Sequence, residues 1–402
     1  MKRLMVVLAV IVFMFSVSLS SVIAQPIDYC EGNFDNDLDQ DGSDAFVFKK
    51  DFGRSSLSNP CPQIACQTAE QLEMRIAQLE TLLANVTRNG NDITFSGVNV
   101  QIVDGSGDTA GTVNGLGNLI VGYNETGNIN GDVRTGSHNI VVGSGQSYSS
   151  FGGLVAGGGN TISGPYASVS GGGNNIASGY IASVSGGSDN QANGNYASVS
   201  GGDSNAASDN YTSVSGGGDN TANFMYASVS GGNGNTASGY YASVSGGVLN
   251  KANGNYASVS GGENNTASGW NASVAGGRYN EASGDYSFVG GGGYLDASYG
   301  NKAFGNYSAI LGGFSNVAGD STLTYHTIGP SSTVSGGAYN TASGSVSSVS
   351  GGGGNTASNQ YDSVSGGVVN TASGGFASVS GGNSRTATGG SDWAAGGLWQ
   401  DQ

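Results

Sequence analysis

Proline, basic residues and histidine are all scarce in this chain of 402 residues, and each scarcity excludes something. With 5 prolines, and glycine arriving as pairs between serine- and asparagine-rich intervals, a collagen triple helix is ruled out. Only 10% of the residues are charged against 74 glycines, a balance foreign to an ordinary packed enzyme. The 12 lysines and arginines face 28 acidic residues, a formal charge of −16, so nucleic acid is not expected as a partner. Leucine, isoleucine and phenylalanine are too thinly spread in the long second part to fill a conventional core, and alanine and valine carry its apolar content. Burial must come from stacking small units. The two histidines, His138 and His326, stand in separate irregular segments. A carbohydrate lyase or hydrolase on a β-helix would need clustered acids and bases, so no catalytic residue is expected.

Beyond the amino terminus no apolar run is long enough to cross a bilayer as a helix, and residues 391–402 do not read as outer-membrane barrel strands. Lys2 and Arg3, the apolar run Leu4 to Val17 and the small-residue region ending at Ala24 read as a secretory signal over residues 1–24, with a membrane anchor as the alternative. Its removal takes two basic residues (12 − 2 = 10, against 28 acidic) and leaves −18. The mature chain is therefore expected outside the cell or on its surface.

Residues 25–66 read as a small acidic module. Cys30 and Cys61 bracket it, and in an oxidising compartment they suggest a closing disulfide. Cys66 is then a free thiol, a competing partner or a link between chains. Inside the bracket Asn33, Asp35, Asp37, Asp39, Asp41 and Asp44 alternate with other residues. A hard cation such as calcium takes about six to eight oxygens, and this spacing can wrap one centre, with Asp39 contributing its carbonyl. Close-packed carboxylates would otherwise repel one another. The segment resembles a dockerin-like, EF-hand-type calcium loop, with Leu38 where that family places glycine and with one loop instead of two, so cohesin binding is not implied.

A helix is expected over residues 67–90. Thr68 and Gln71 have capping-box spacing, and Leu72, Ile76, Leu79, Leu83 and Val86 alternate in steps of four and three, forming an a/d seam. The seam serves a short coiled coil or a single amphipathic helix packed on its own module. Residues 91–150 read as a β transition, opened by Ile93, Phe95, Val98, Val100 and Ile102, with irregular coils after it.

From there to residue 390 one phrase returns every fifteen residues, as in Tyr166-Ala-Ser-Val-Ser-Gly-Gly and Tyr196-Ala-Ser-Val-Ser-Gly-Gly. Val169, Val184 and Val199 keep the period, as do Asn160, Asn175 and Asn190 with an alanine two residues on, and insertions near 294–300 and 320–330 interrupt it. Identical residues must lie above one another in a stacked β-solenoid. Ala167 and Val169 are expected to face inward, Ser168 and Ser170 outward, the glycine pair to make a turn, and the asparagines to stack amide on amide. About 17 coils at roughly 4.8 Å each would give a rod of about 80 Å. Tyr180, Tyr240, Trp270 and Tyr279 are variable surface positions. The threonines read as scattered, which disfavours an ice-binding solenoid, and residues 391–402, with Trp393 and Trp399, read as an end cap.

The repeated Asn-x-Ala-Ser-Gly and Ala-Ser-Val-Ser-Gly-Gly phrases, with Leu119-Ile-Val-Gly122 and Ile140-Val-Val-Gly143 before them, resemble the head repeats of YadA-like trimeric autotransporter adhesins over about residues 114–390. That resemblance implies an all-β, left-handed parallel β-roll and a homotrimer. It implies an adhesin-like function towards a matrix, cell-surface or polysaccharide ligand. The present repeats are one residue longer and carry serine after the valine, and the family's carboxy-terminal membrane anchor is not expected after them.

Overall fold

The computed structural model describes residues 64–320 and 331–396. They fall into two units, one up to Val100 and one from Gln101. In the first, helix α1 spans Ile64–Leu82, and strands β1 (Val86–Asn89) and β2 (Asp92–Phe95) pair antiparallel, Val86 opposite Phe95. The helix thus ends before the last two seam positions. Asn89-Gly90-Asn91 is the tip of a hairpin, where Gly90 takes φ 59°, and not a helix stop. Thr68 lies inside the helix, past the position of an N-cap, and residues 96–102 form no strand.

The second unit is a parallel β-solenoid. Two ladders of short strands run along it, one of sixteen strands carrying the alanines of the Ala177 series and one carrying the valines. Each strand pairs in register with its equivalents in the coils before and after: Val184 opposite Val169 and Val199, Ala192 opposite Ala177 and Ala207. Further single-residue parallel bridges, such as Gly218 with Asn233 and Asn233 with Val248, stitch one of the turns. The interior of each regular coil is small, as Val229, Ala227 and Ala237 show; all three are buried, and the same three positions recur along the stack. Val, with its stiff branched side chain, suits the pleated ladder, and alanine keeps the two sheets close.

Both insertions leave the register intact. Val289 pairs with Ile310 and Ile310 with Val334, so the valine ladder runs past each of them. The first insertion carries a single 3-10 turn, Ala297–Tyr299, capped by the Asp296 carboxylate. Residues 321–330 of the second lie outside the described residues. Trp393 pairs with Ser378 and Ala394 with Val379, so the repeat extends through Ala394, past the expected start of a cap at 391.

Candidate binding surface

Asparagine holds the coils in step, by a route the repeat period does not reveal. Asn235 is fully buried. Its Nδ2 donates to the Gly231 carbonyl at 2.9 Å in its own coil and to the Gly247 carbonyl at 2.8 Å in the next. Its Oδ1 accepts the backbone N–H of Asn250 at 2.9 Å. The expected amide-to-amide stack is therefore mostly a side-chain-to-backbone ladder, which satisfies turn groups that burial would otherwise leave unpaired. Gln146 begins it, accepting from Asn160 N–H at 3.0 Å, and Arg385 ends it in the place of asparagine. Across the insertions it still bridges Asn280 to Asn301 and Asn316 to Asn340.

The turns rest on left-handed backbone. In the pair 231–232 only the second is constrained: Gly232 has φ 89°, and a Cβ there would lie 2.1 Å from the Gly247 carbonyl oxygen. Gly231 meets nothing closer than 4.0 Å. Two further positions of each regular coil are left-handed although seldom glycine, for example Leu249 at φ 56° and Tyr256 at φ 58°. Strand N–H groups point to the following coil, as Ser228 N–H does to Ala242 O. The left-handed residues point theirs back, Leu249 N–H to Asn233 O at 2.9 Å and Tyr256 N–H to Tyr240 O at 2.7 Å. That reversed bond offsets the roughly 1–2 kcal/mol that a Cβ costs in this conformation.

The outside is a set of columns. Ser168, Ser183, Ser198 and their successors to Ser273 line the valine sheet, with the Ser170 series exposed beside them. On the alanine sheet the outward column includes Thr221 opposite Thr236, and four consecutive threonines, Thr341, Thr356, Thr371 and Thr386. The threonines that read as scattered therefore align, because each follows a ladder position, asparagine in every case but Arg385 before Thr386. Tyr196, Tyr211, Tyr226, Tyr241 and Tyr256 form a stacked aromatic column at one turn. Of the residues expected to set the surface, Tyr180 packs edge-on against Tyr196, Tyr240 edge-on against Tyr241, and Trp270 edge-on against Tyr286. Tyr279 lies near the Arg278 guanidinium. Arg278 also binds Glu263 at 2.7 Å, which raises the arginine's affinity for its proton.

His138 belongs to the irregular early coils. Its Nε2 accepts the Asp104 backbone N–H at 3.2 Å and lies 3.6 Å from the Asp104 carboxylate. The Ser106 hydroxyl (2.6 Å) and N–H (2.8 Å) hold the Asp104 carboxyl below its ordinary pKa. This pair fastens residues 103–106 to the coil edge. Asn33, Asp35, Asp37, Asp39, Asp41, Asp44, Cys30, Cys61 and His326 lie outside the described residues. Among the described residues no group of three or more histidine, cysteine or acidic side chains is placed to hold a metal. No helix among them is long and apolar enough to cross a membrane.

No family model matches the chain, and no curated protein is similar to it in sequence. The repetitive β-solenoid is consistent with a structural or binding repeat protein.

Proposed function

We propose that the chain is a secreted or cell-surface, fibrous, adhesin-like protein that binds a matrix, cell-surface or polysaccharide ligand through many weak contacts along the solenoid. The observation that carries this reading is the recurrence of the same outward serine, threonine and tyrosine groups coil after coil. A ligand with its own repeat meets them many times, and linked weak contacts gain avidity without any strong single site. The YadA-like phrase points the same way. The exposure of Leu72, Ile76 and Leu79 on α1 supports a seam that associates, and hence a homotrimer. Secretion through residues 1–24 and calcium bound by Asn33 to Asp44, in a module closed by Cys30 and Cys61, complete the proposal.

Residues 25–402 are to be screened against glycans and matrix proteins while the same glycans are assayed for cleavage. Retention that weakens as coils are removed, without cleavage, is the expected outcome; turnover of a glycan would favour the enzyme reading instead. Calorimetric titration with calcium should give a signal that Asp37→Ala with Asp41→Ala abolishes, and a silent parent would remove calcium from the proposal. The aligned Thr341 to Thr386 column favours a second reading, a solenoid that binds an ordered surface such as ice. Thermal hysteresis lost in Thr356→Lys, Thr371→Lys would establish that reading over the first.

A further inference from the structure

A bulky side chain on left-handed backbone is disfavoured, because its Cβ crowds the following carbonyl. Yet Tyr196, Tyr211, Tyr226, Tyr241 and Tyr256 occupy φ values of 58°, 59°, 62°, 53° and 58° in five successive coils. Their rings lie on one another with centroids 4.9, 4.9, 4.5 and 5.5 Å apart and planes within 12° of parallel. The in-register strands on the valine side, Ser213 opposite Ser228 and Ser228 opposite Ser243, set that spacing. Tyr211 remains 47% exposed and Tyr241 46%, so the column lies at the surface, although partial burial and a hydrogen bond with Tyr240 push the Tyr241 phenol's pKa up. Stacking covers the ring faces, which makes a poor platform for a sugar; Tyr180 lies edge-on to Tyr196, and Tyr240 edge-on to Tyr226, Tyr241 and Tyr256, so each column ring has another phenol beside it.

We propose that this column is a site of oxidative tyrosine coupling, in which hydrogen peroxide and a peroxidase-type enzyme join successive rings and so staple neighbouring coils. Each of two adjacent phenols gives up one electron and one proton. The resulting phenoxyl radicals form a carbon–carbon bond ortho to their oxygens, and the hydrogens on those carbons pass to the oxygens as the rings regain aromaticity. Two phenols and one peroxide thus give one biaryl and two waters, the peroxide O–O bond being the one reduced. Free tyrosyl radicals must meet by diffusion, whereas here the partner is already adjacent and the step becomes intramolecular. In the product the rings lie edge to edge, so each pair must swing out of its stack, and for Tyr226 and Tyr241 that swing also displaces Tyr240, which lies edge-on to both. Tyr226 and Tyr241, at 4.5 Å, are expected to couple first. The inference is independent of the adhesin reading.

The test treats dilute full chain with a peroxidase and limiting peroxide, then maps cross-linked peptides by mass spectrometry. Expected are pairs fifteen residues apart within the column, in monomer-sized chains, outnumbering pairs that involve Tyr123, which is 93% exposed and lies outside the column. Tyr226→Phe with Tyr241→Phe keeps the aromatic stack but leaves Tyr196 and Tyr211 as the only stacked phenol pair of the five, so column cross-links should fall to about a quarter or less. Urea-unfolded chain should lose the fifteen-residue preference, a control that holds even if the double variant folds poorly. Coupling chiefly between chains or at Tyr123, the same pattern in urea, or no coupling where free tyrosine couples would each overturn the proposal.

Discussion

At the scale of single residues, the solenoid depends on a few backbone positions more than on its apolar side chains. Gly232 and Gly231 are neighbours in sequence and opposite in constraint. Gly232→Ala places a methyl against the Gly247 carbonyl on backbone with φ 89°. It should cost at least about 1–2 kcal/mol from the left-handed conformation alone. Gly231→Ala should leave stability nearly unchanged, and thermal melts of the two variants decide the matter: equal effects would refute this account of the turn. Asp104 gives the early coils a pH dependence of definite sign. Its folded pKa is depressed by the Ser106 hydroxyl and N–H, so its contribution is complete above the ordinary carboxylate range and is lost as pH falls through the depressed value. Hydrogen exchange followed from neutral to acidic pH should show residues 103–118 losing protection at low pH before the central coils. Ser106→Ala should bring that loss to higher pH.

At the scale of the element, the unit is one coil and its binding is to nearest neighbours. The strands are two residues long in the regular coils, far too short to persist singly, and each is held by equivalents fifteen residues away on both sides. Deleting residues 228–242 removes one whole coil and brings Ala227 before Ser243, so every column stays continuous. The shortened chain should keep its β circular dichroism and melt within a few degrees of the parent. Deleting residues 228–234 removes half a coil and sets the valine column against a turn; a large loss of cooperativity is expected. Two indistinguishable melts would mean that register does not govern stability. The natural insertions already make the same distinction, since the Asn280 to Asn301 bond at 3.0 Å spans one of them without disturbing the ladder.

At the scale of the whole molecule, net charge and exposed apolar side chains act in opposite directions on association. The formal charge of −16 sets a repulsion between copies, while Leu72, Ile76 and Leu79 offer an uncharged seam on α1. Sedimentation of residues 25–402 should report three chains, and Ile76→Asp with Leu79→Asp should return one. A monomeric parent would dispose of the trimer and leave the exposed seam as the face of a single amphipathic helix.

The fifteen-residue period by itself determined that coils stack in register, because identical residues can recur so strictly only where each lies over its equivalent. It also determined the interior, since Val169, Ala167 and Ala177 mark the small apolar positions that recur from phrase to phrase, whereas the other fixed places are held mainly by serine, glycine, asparagine and tyrosine. The threonines look scattered in the sequence because only some ladder asparagines are followed by one, and amphipathic spacing up to Val86 favours a longer helix over the Gly90 hairpin. Only the tertiary structure decided which turn residues are left-handed. Tyr256 and Leu249 have no intrinsic preference for that conformation; they adopt it because their N–H groups find carbonyls in the preceding coil. It likewise decided that the asparagine amides bind backbone more than one another, since the carbonyls of Gly231 and Gly247 converge on Asn235 only once the coils are stacked.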